Sequence, residues 1–494
     1  MSIRHAAAPN GRHRRPAVSG WSRTAIAIAA PAVAVALLGG LALLIASPWS
    51  GADRSGLATS ILNIRMIGGP APWIAYVAAV ALVVVVVVRR PARGWVMACA
   101  IGALAGAALG YGAWLIANAT DAFGVGLSDG TGAWAAVGFG AVGLSVGALL
   151  RSPNWRRSVA VVSIIVALVA TTFGINAQFG LDQTVADFVG TSTAKVISLP
   201  RITPTPTPTA TLLDGGALWA NWTPPADMPT GGQYSQVIIP NTASGFRARP
   251  AGLYLPPAAL VANPPALPFV LMMMGQPGNP DPTYVGSILD KYAATNKGLA
   301  PIVLVVDQLG NPGVDPLCLN TARYGNAETY VVQDAVSWAR THLHILQDPA
   351  HWVVAGYSNG GECALSFAVK YPGIFHNLLD ISGEITPGGD NAEGTLEGVF
   401  HGDRAAYEAT FPLTIMKQNN YAGMTAVFTV GSNDSIYRPQ AMAAAAASRS
   451  AGWATNYFEV PDGGHVLGAL NGGITEGFHL LYPVLGLSDG DANN

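Results

Sequence analysis

Residues 351–370 read His-Trp-Val-Val-Ala-Gly-Tyr-Ser-Asn-Gly-Gly-Glu-Cys-Ala-Leu-Ser-Phe-Ala-Val-Lys: a short apolar run, a glycine-rich turn and a helix-forming stretch. At its centre lies Gly356-Tyr357-Ser358-Asn359-Gly360, a G-x-S-x-G pattern. The pentapeptide alone says little, since Gly and Ser are common. Between a predicted strand and a predicted helix it says much more. A turn this tight forces strained backbone angles on Ser358 and exposes its hydroxyl, and glycines two residues to either side leave room for the neighbouring chain. The context favours a nucleophilic serine over a structural one.

A serine hydroxyl attacks poorly until a base takes its proton, and that base must itself be held by a third group. The chain order expected for this turn is Ser, then Asp or Glu, then His. Val427–Asp434 reads VFTVGSND, a strand followed by a loop holding Asp434, and Glu459–His465 reads EVPDGGH, a second strand end followed by His465. Asp434 is therefore the expected orienter and His465 the expected base. Asp380 and Glu384, in LLDISGE after the next strand, are the rival acids. Asp462 is too local to reach behind the His465 ring. His376, His401 and His479 precede the acid or fall in predicted helix, and read as surface or core groups. An oxyanion also needs two preorganised N–H donors. The amide of Asn359 is one candidate. Gln276, in the loop Met272-Met273-Met274-Gly275-Gln276-Pro277-Gly278, is the other.

Working outward, Tyr234–Ile239 and Phe246–Leu255 alternate like antiparallel strands. Pro268–Met274, Ile302–Val306, Trp352–Ala355, Leu378–Ile381 and Ala426–Val430 are unbroken apolar runs, which suits strands covered on both faces. Helical stretches at Ala327–His344, Gly361–Lys370 and Arg438–Ala451 separate them. Strand–helix alternation predicts an α/β fold with a mostly parallel, doubly wound sheet over residues 216–494. Ile385–Phe411, long and Gly-rich between two core strands, is where a cap over the pocket is expected.

The first third is different. The chain has 494 residues, 50% of them hydrophobic and only 11% charged, where a soluble protein carries about 25%. Five apolar stretches approach or exceed the roughly twenty residues needed to cross a bilayer: Thr24–Ala46, Ala71–Val88, Trp95–Ala117, Gly132–Leu150 and Ser158–Gln178. An all-α bundle of about five transmembrane helices over 24–180 is the expectation. Arginines cluster in the N-terminal 23 residues, at Arg89, Arg90 and Arg93, and at Arg151, Arg156 and Arg157; the intervening loops carry few or none. This bias predicts a cytoplasmic N-terminus and an extracytoplasmic domain after the last span. A cleaved signal peptide at the first span, with Arg14-Arg15 as a twin-arginine address, is the alternative for that segment. Gly102, Gly106 and Gly110, with Gly143 and Gly147, have the small-xxx-small spacing of closely packed helices. The spans hold no Asp, Glu, Lys, Arg or His, which favours an anchor over a transporter.

Leu181–Gly190 has an amphipathic look suited to a membrane surface. Ser198–Thr211, SLPRITPTPTPTAT, is a Pro/Thr-rich linker that favours polyproline II. Such a linker holds the next domain away from the bilayer or lets it lean back (181–215 in all). A net charge of −2 gives no case for nucleic acid as a partner. Neither a metal cluster nor a dinucleotide fingerprint occurs, so no cofactor is expected. Of the three cysteines, Cys99 lies in a span. Cys318 and Cys363 are a candidate disulfide outside the membrane, or else two buried thiols.

From Trp222 to Leu485 the chain resembles the "putative esterase" family, which groups esterase D-like enzymes with the mycolyltransferases of actinobacterial envelopes. The carrying residues are GQPG at Gly275–Gly278, DPLC at Asp315–Cys318, GYSNGGECAL at Gly356–Leu365, LDISGE at Leu379–Glu384, GSND at Gly431–Asp434 and DGGH at Asp462–His465. Several spans, a Pro-Thr linker and such a domain are similar to membrane-anchored actinobacterial members. The resemblance implies an α/β-hydrolase fold, ester hydrolysis or acyl transfer, and Ser–Asp–His roles for Ser358, Asp434 and His465. Related enzymes usually show His-Gly where this chain has Met274-Gly275, a departure that bears on the oxyanion loop. The expected function is an extracytoplasmic, membrane-anchored serine esterase or acyltransferase acting on ester substrates such as membrane lipids or envelope glycolipids. The alternative is a hydrolase-like domain that has lost catalysis and binds a ligand or partner.

Overall fold

In the computed structural model, described residues are 56–88, 92–120, 126–150, 152–180, 182–202 and 217–489. The first predicted span and most of the Pro/Thr linker lie outside them. The described residues divide into two compact units, one within 70–115 and 129–175, the other within 56–69, 116–128 and 176–489.

The first unit is helical. Four helices, α2 (Pro70–Val87), α3 (Arg93–Ala119), α4 (Asp129–Leu150) and α5 (Asn154–Phe179), are long and apolar enough to cross a membrane. The glycine spacing read from the sequence has a physical counterpart: a Cβ on Gly106 would lie 2.0 Å from the carbonyl oxygen of Phe139, and one on Gly143 2.0 Å from that of Gly102. The backbones of α3 and α4 touch, and any side chain there would drive them apart. Inside the bundle Ser145 and Ser163 share a hydrogen bond of 3.0 Å. Arg156, at the start of α5, donates to the carbonyls of Val85 and Val88 at the end of α2.

The second unit is built on an eight-stranded sheet: β1 (Gln233–Val237), β2 (Ala251–Leu255), β3 (Phe269–Met273), β4 (Ile302–Val306), β5 (Trp352–Tyr357), β6 (Asn377–Ile381), β7 (Thr425–Gly431) and β8 (Ala454–Val460). Their order is β1-β2-β4-β3-β5-β6-β7-β8. All pairs from β4 through β8 are parallel, while β1–β2 and β2–β4 are antiparallel. The five residues of β3 and of β4 and all six of β5 are buried, as strands covered on both faces should be. Helices α7 (Thr283–Thr295), α8 (Asn359–Lys370), α9 (Tyr437–Ser450) and α10 (Leu467–Val484) pack against them.

The predicted strand over 246–255 is shorter than expected. Ala243 and Ser244 donate their amides to Asp334, and Asn241 donates to the Phe246 carbonyl, so the chain here forms a turn and joins the sheet only at Ala251. The region between β6 and β7 carries its own short helices, Ala392–Phe400 and Arg404–Glu408. It is pinned by the Tyr407 hydroxyl donating to the Pro387 carbonyl. Two further short helices belong to the second unit, α1 (Gly56–Leu62) and α6 (Val185–Phe188). A capping box starts α6: Thr184 accepts from the Asp187 amide while the Asp187 carboxylate accepts from the Thr184 amide.

Candidate active site

Parallel strands in open α/β sheets offer their carboxyl ends to ligands. The registers bring several ends to one rim: Met273 of β3 pairs with Gly356 of β5, Gly356 with Asp380 of β6, and Gly431 of β7 with Val460 of β8. Ser358 follows β5 directly, with φ 56° and ψ −124°. For a non-glycine residue this is a strained conformation, held only because its surroundings over-determine it. The neighbouring glycines are obligatory: a Cβ on Gly356 would lie 1.8 Å from the Gly360 carbonyl oxygen. The Ser358 amide donates to the Ile381 carbonyl, and its own carbonyl accepts from Gly361 and Glu362, starting α8.

The three residues singled out in the sequence meet here. Ser358 Oγ lies 2.8 Å from His465 Nε2, and His465 Nδ1 lies 2.8 Å from Asp434 Oδ2. A carboxylate only accepts, so Nδ1 carries the proton and Nε2 is left to accept from the serine hydroxyl. The other oxygen of Asp434 accepts from the amides of Ile436 and Tyr437. The side chains of Asp434 and His465 are only 3% and 7% exposed. Tyr437 stacks on the imidazole at 3.9 Å between ring centroids, and Tyr357 at 5.3 Å. Burial pushes both tyrosine hydroxyls well above their ordinary range, so they stay neutral.

The rival acids go elsewhere. Asp380 is buried and accepts from the Gly383 amide, and burial lifts its carboxyl to about 7. Glu384 is lifted to about 8, chiefly by burial and then by Asp390 and Asp315. Neither touches His465 among the described residues. Residues 247–467 match a family of enzymes described as "Putative esterase". The chain is similar to that family over this stretch, and it is a serine esterase or acyltransferase of the α/β-hydrolase fold.

An uncharacterized protein of Corynebacterium glutamicum is 29% identical over 328 residues, covering 64% of this esterase and 74% of the relative. Among solved structures, a ferulic acid esterase matches with TM-score 0.42 and 14% identity over 50% of this chain and 95% of that one. An S-formylglutathione hydrolase from Agrobacterium tumefaciens matches with TM-score 0.42 and 16% identity, over 53% and 97%. MPT51 of Mycobacterium tuberculosis matches with TM-score 0.37 and 15% identity, over 49% and 97%.

Several residues around this site take their place from contacts that the sequence does not show. Gly275 lies against Ser358, where a Cβ would be 3.0 Å from that of Ser358. Its loop is held from below by Gln308, which donates to the Met274 carbonyl at 2.6 Å and to Asn359 Oδ1 at 3.1 Å. Asn359 in turn donates to Asp315. Farther along the loop, Arg249 donates to the Gly278 carbonyl, to Asn279 Oδ1 and to Asp307, whose side chain is fully buried. Asp307 and Gln308 stand directly after β4, and a polar pair at the end of an all-apolar strand was the available clue. Cys318 and Cys363 are bonded, with Cα atoms 5.1 Å apart, which ties the loop after β4 to α8. Glu362 Oε2 lies 2.6 Å from Cys318 Sγ. A disulfide sulfur has no hydrogen to give, so a hydrogen bond there is donated by protonated Glu362; burial accordingly pushes its carboxyl well up. Those three side chains have a spacing a metal ion would accept, but the bonded sulfurs are spent as ligands.

Proposed function

We propose that the chain is a membrane-anchored serine carboxylic-ester hydrolase or acyltransferase, held outside the cytoplasm by five spans and acting on lipid or envelope esters through Ser358, His465 and Asp434. The observation that carries this reading is the unbroken relay of two 2.8 Å contacts ending on a strained serine. In the first half-reaction Ser358 Oγ attacks the ester carbonyl carbon while its proton passes to His465 Nε2. The oxyanion is met by the amides of Asn359 and Gln276; the first opens a helix, where N–H groups lack intrahelical partners. Collapse breaks the bond to the leaving alcohol, which takes the proton from His465, and an acyl-Ser358 remains. Water or a second alcohol then attacks the acyl carbon as His465 takes its proton; the bond from that carbon to Ser358 Oγ breaks, His465 returns the proton to Oγ, and the acid or the new ester leaves.

The anchor supports a membrane or envelope substrate by raising the local concentration of the domain near it. Met274, where relatives usually carry histidine, leaves the proposed donor untouched, because the donor is the Gln276 backbone. The test is a fluorophosphonate probe and a panel of short- and long-chain esters, applied to the full chain in detergent beside Ser358→Ala. Labelling at Ser358 is expected in the parent, and loss of labelling with at least about 10³-fold lower turnover in the variant. Equal turnover by both proteins sinks the reading.

A further inference from the structure

Each amide proposed to meet the oxyanion shares a peptide plane with a carbonyl that is held from the other side. In a trans peptide the N–H and the C=O point in opposite directions. The Gly275 carbonyl accepts from the Gly278 amide at 2.7 Å, so the Gln276 N–H points away from that turn. The Ser358 carbonyl accepts from Gly361 at 2.7 Å and Glu362 at 3.1 Å, so the Asn359 N–H points away from the first turn of α8. The direction of each donor is therefore fixed within its own loop. What neither loop fixes alone is their separation, and one oxygen must meet both donors at about 2.7–3.1 Å.

Gln308 spans that gap. It is buried two residues past the end of β4, and burying its amide is costly unless both ends are bonded. A side-chain amide nitrogen carries two hydrogens. Here one goes to the Met274 carbonyl, next to Gly275, and the other to Asn359 Oδ1. The polarity of this chain is forced from both ends. A main-chain carbonyl only accepts, so Met274 needs a donor. Asn359 Nδ2 donates to Asp315 Oδ1 at 3.0 Å, which leaves Asn359 facing Gln308 with its oxygen. The preceding residue, Asp307, secures the far end of the same loop, since its partner Arg249 donates to the Gly278 carbonyl at 2.9 Å. Residues 274–278 are thus tied at both ends to the end of β4.

We propose that Gln308 is a positioning residue of the oxyanion hole, setting the distance between the Gln276 and Asn359 amides through one bond to each loop. This rests on the proposed esterase reading and on those two amides as donors. Gln308 acts through the two loops, not on the ester itself. Its effect belongs to the stage at which negative charge gathers on the carbonyl oxygen, so its loss should lower kcat and leave KM nearly alone.

The full chain in detergent is assayed on a p-nitrophenyl ester and on the matching thionoester, whose sulfur takes only weak hydrogen bonds. Gln308→Met keeps the length of the side chain and removes both donors. Its kcat on the ester should fall about 10–100-fold, with KM within about threefold of the parent. The preference for ester over thionoester should shrink at least about fivefold, whereas a packing defect alone would slow both substrates equally. Gln308→Glu is the second variant: its neutral acid keeps one donor and its ionised form none. Turnover relative to the parent should therefore fall at least about fivefold from about pH 5 to about pH 9. A loss of rate carried by KM, an unchanged ester-to-thionoester preference or an unchanged kcat in Gln308→Met would overturn the inference. If Gln308→Met does not fold, a flat relative pH profile in Gln308→Glu overturns it. A parent that turns over no ester and takes no fluorophosphonate label would instead remove the esterase reading.

Discussion

Two sets of buried acids flank the nucleophile, and they are treated in opposite ways. On the β7 side, three N–H groups converge on Asp434: the His465 imidazole and the amides of Ile436 and Tyr437. On the β6 and α8 side, Asp380, Glu362 and Glu384 are as deeply buried but poorly supplied with donors, and burial drives their carboxyls upward. All are carboxylic acids at similar depth; the difference is how many donors point at the oxygens. Asp434 has a specific partner to orient. The others fill space beside the disulfide and hold protons.

The sharpest way to break this comparison is to neutralise one acid from each set. Asp434→Asn should lower kcat by about 10²–10⁴-fold, because an amide no longer fixes the imidazole tautomer. Asp380→Asn, read on the same soluble ester, should stay within about tenfold of the parent, since its side chain makes no contact with His465. Similar losses in both would erase the distinction.

A third buried acid extends the test. Asp307 accepts from the Arg249 amide and guanidinium and from the amides of Leu309 and Gly310. Arg249→Met removes the guanidinium but leaves the three amides on Asp307, and should cost up to about 3–5 kcal/mol in denaturant unfolding. It also frees the Gly278 carbonyl, so kcat should fall more than KM rises. On the other side of the nucleophile, Cys318→Ala with Cys363→Ala opens a loop of 45 residues and should cost about 2–4 kcal/mol. Esterase activity should survive in the folded fraction, because the bond braces α8 without touching the relay.

A last expected effect is on pH. Burial raises the carboxyls of Asp380 and Glu384 to about 7 and about 8 in the fold, above the ordinary carboxylate range. Between those values the native state binds more protons, so stability falls as pH rises. The contribution is fully present below pH 4 and gone above about 8. Thermal unfolding of the parent should shift down from pH 5.5 to 8, and Glu384→Gln should flatten that slope. A parent slope of the opposite sign would show that these acids are ionised in the fold.

How much of this was visible in the sequence depended on whether a feature is local. The strand, turn and helix around Ser358 form one contiguous segment, so its geometry was readable. Asp434 and His465 were readable because chain order and strand ends restrict where such residues stand. The choice between Asp434 and Asp380 was not closed by order alone; it turns on side-chain direction, which the register sets only in three dimensions. Gln308, Arg249 and Asp307 were missed because their meaning comes from carbonyls and amides of distant loops, which have no spacing rule. The amphipathic look of Leu181–Gly190 is local and readable, but the bridge from Thr184 to Arg65 depends on a residue more than a hundred positions earlier.

The stacking of Tyr437 and Tyr357 on the imidazole has a consequence for the choice between hydrolysis and transfer. A ring pinned by aromatic neighbours cannot swing aside to serve a second visitor from another direction. In the proposed mechanism the departing alcohol and the incoming acceptor then use the same doorway, in turn. Whether water or an alcohol enters is then a contest over one vacated berth, won by whichever molecule the surroundings supply first.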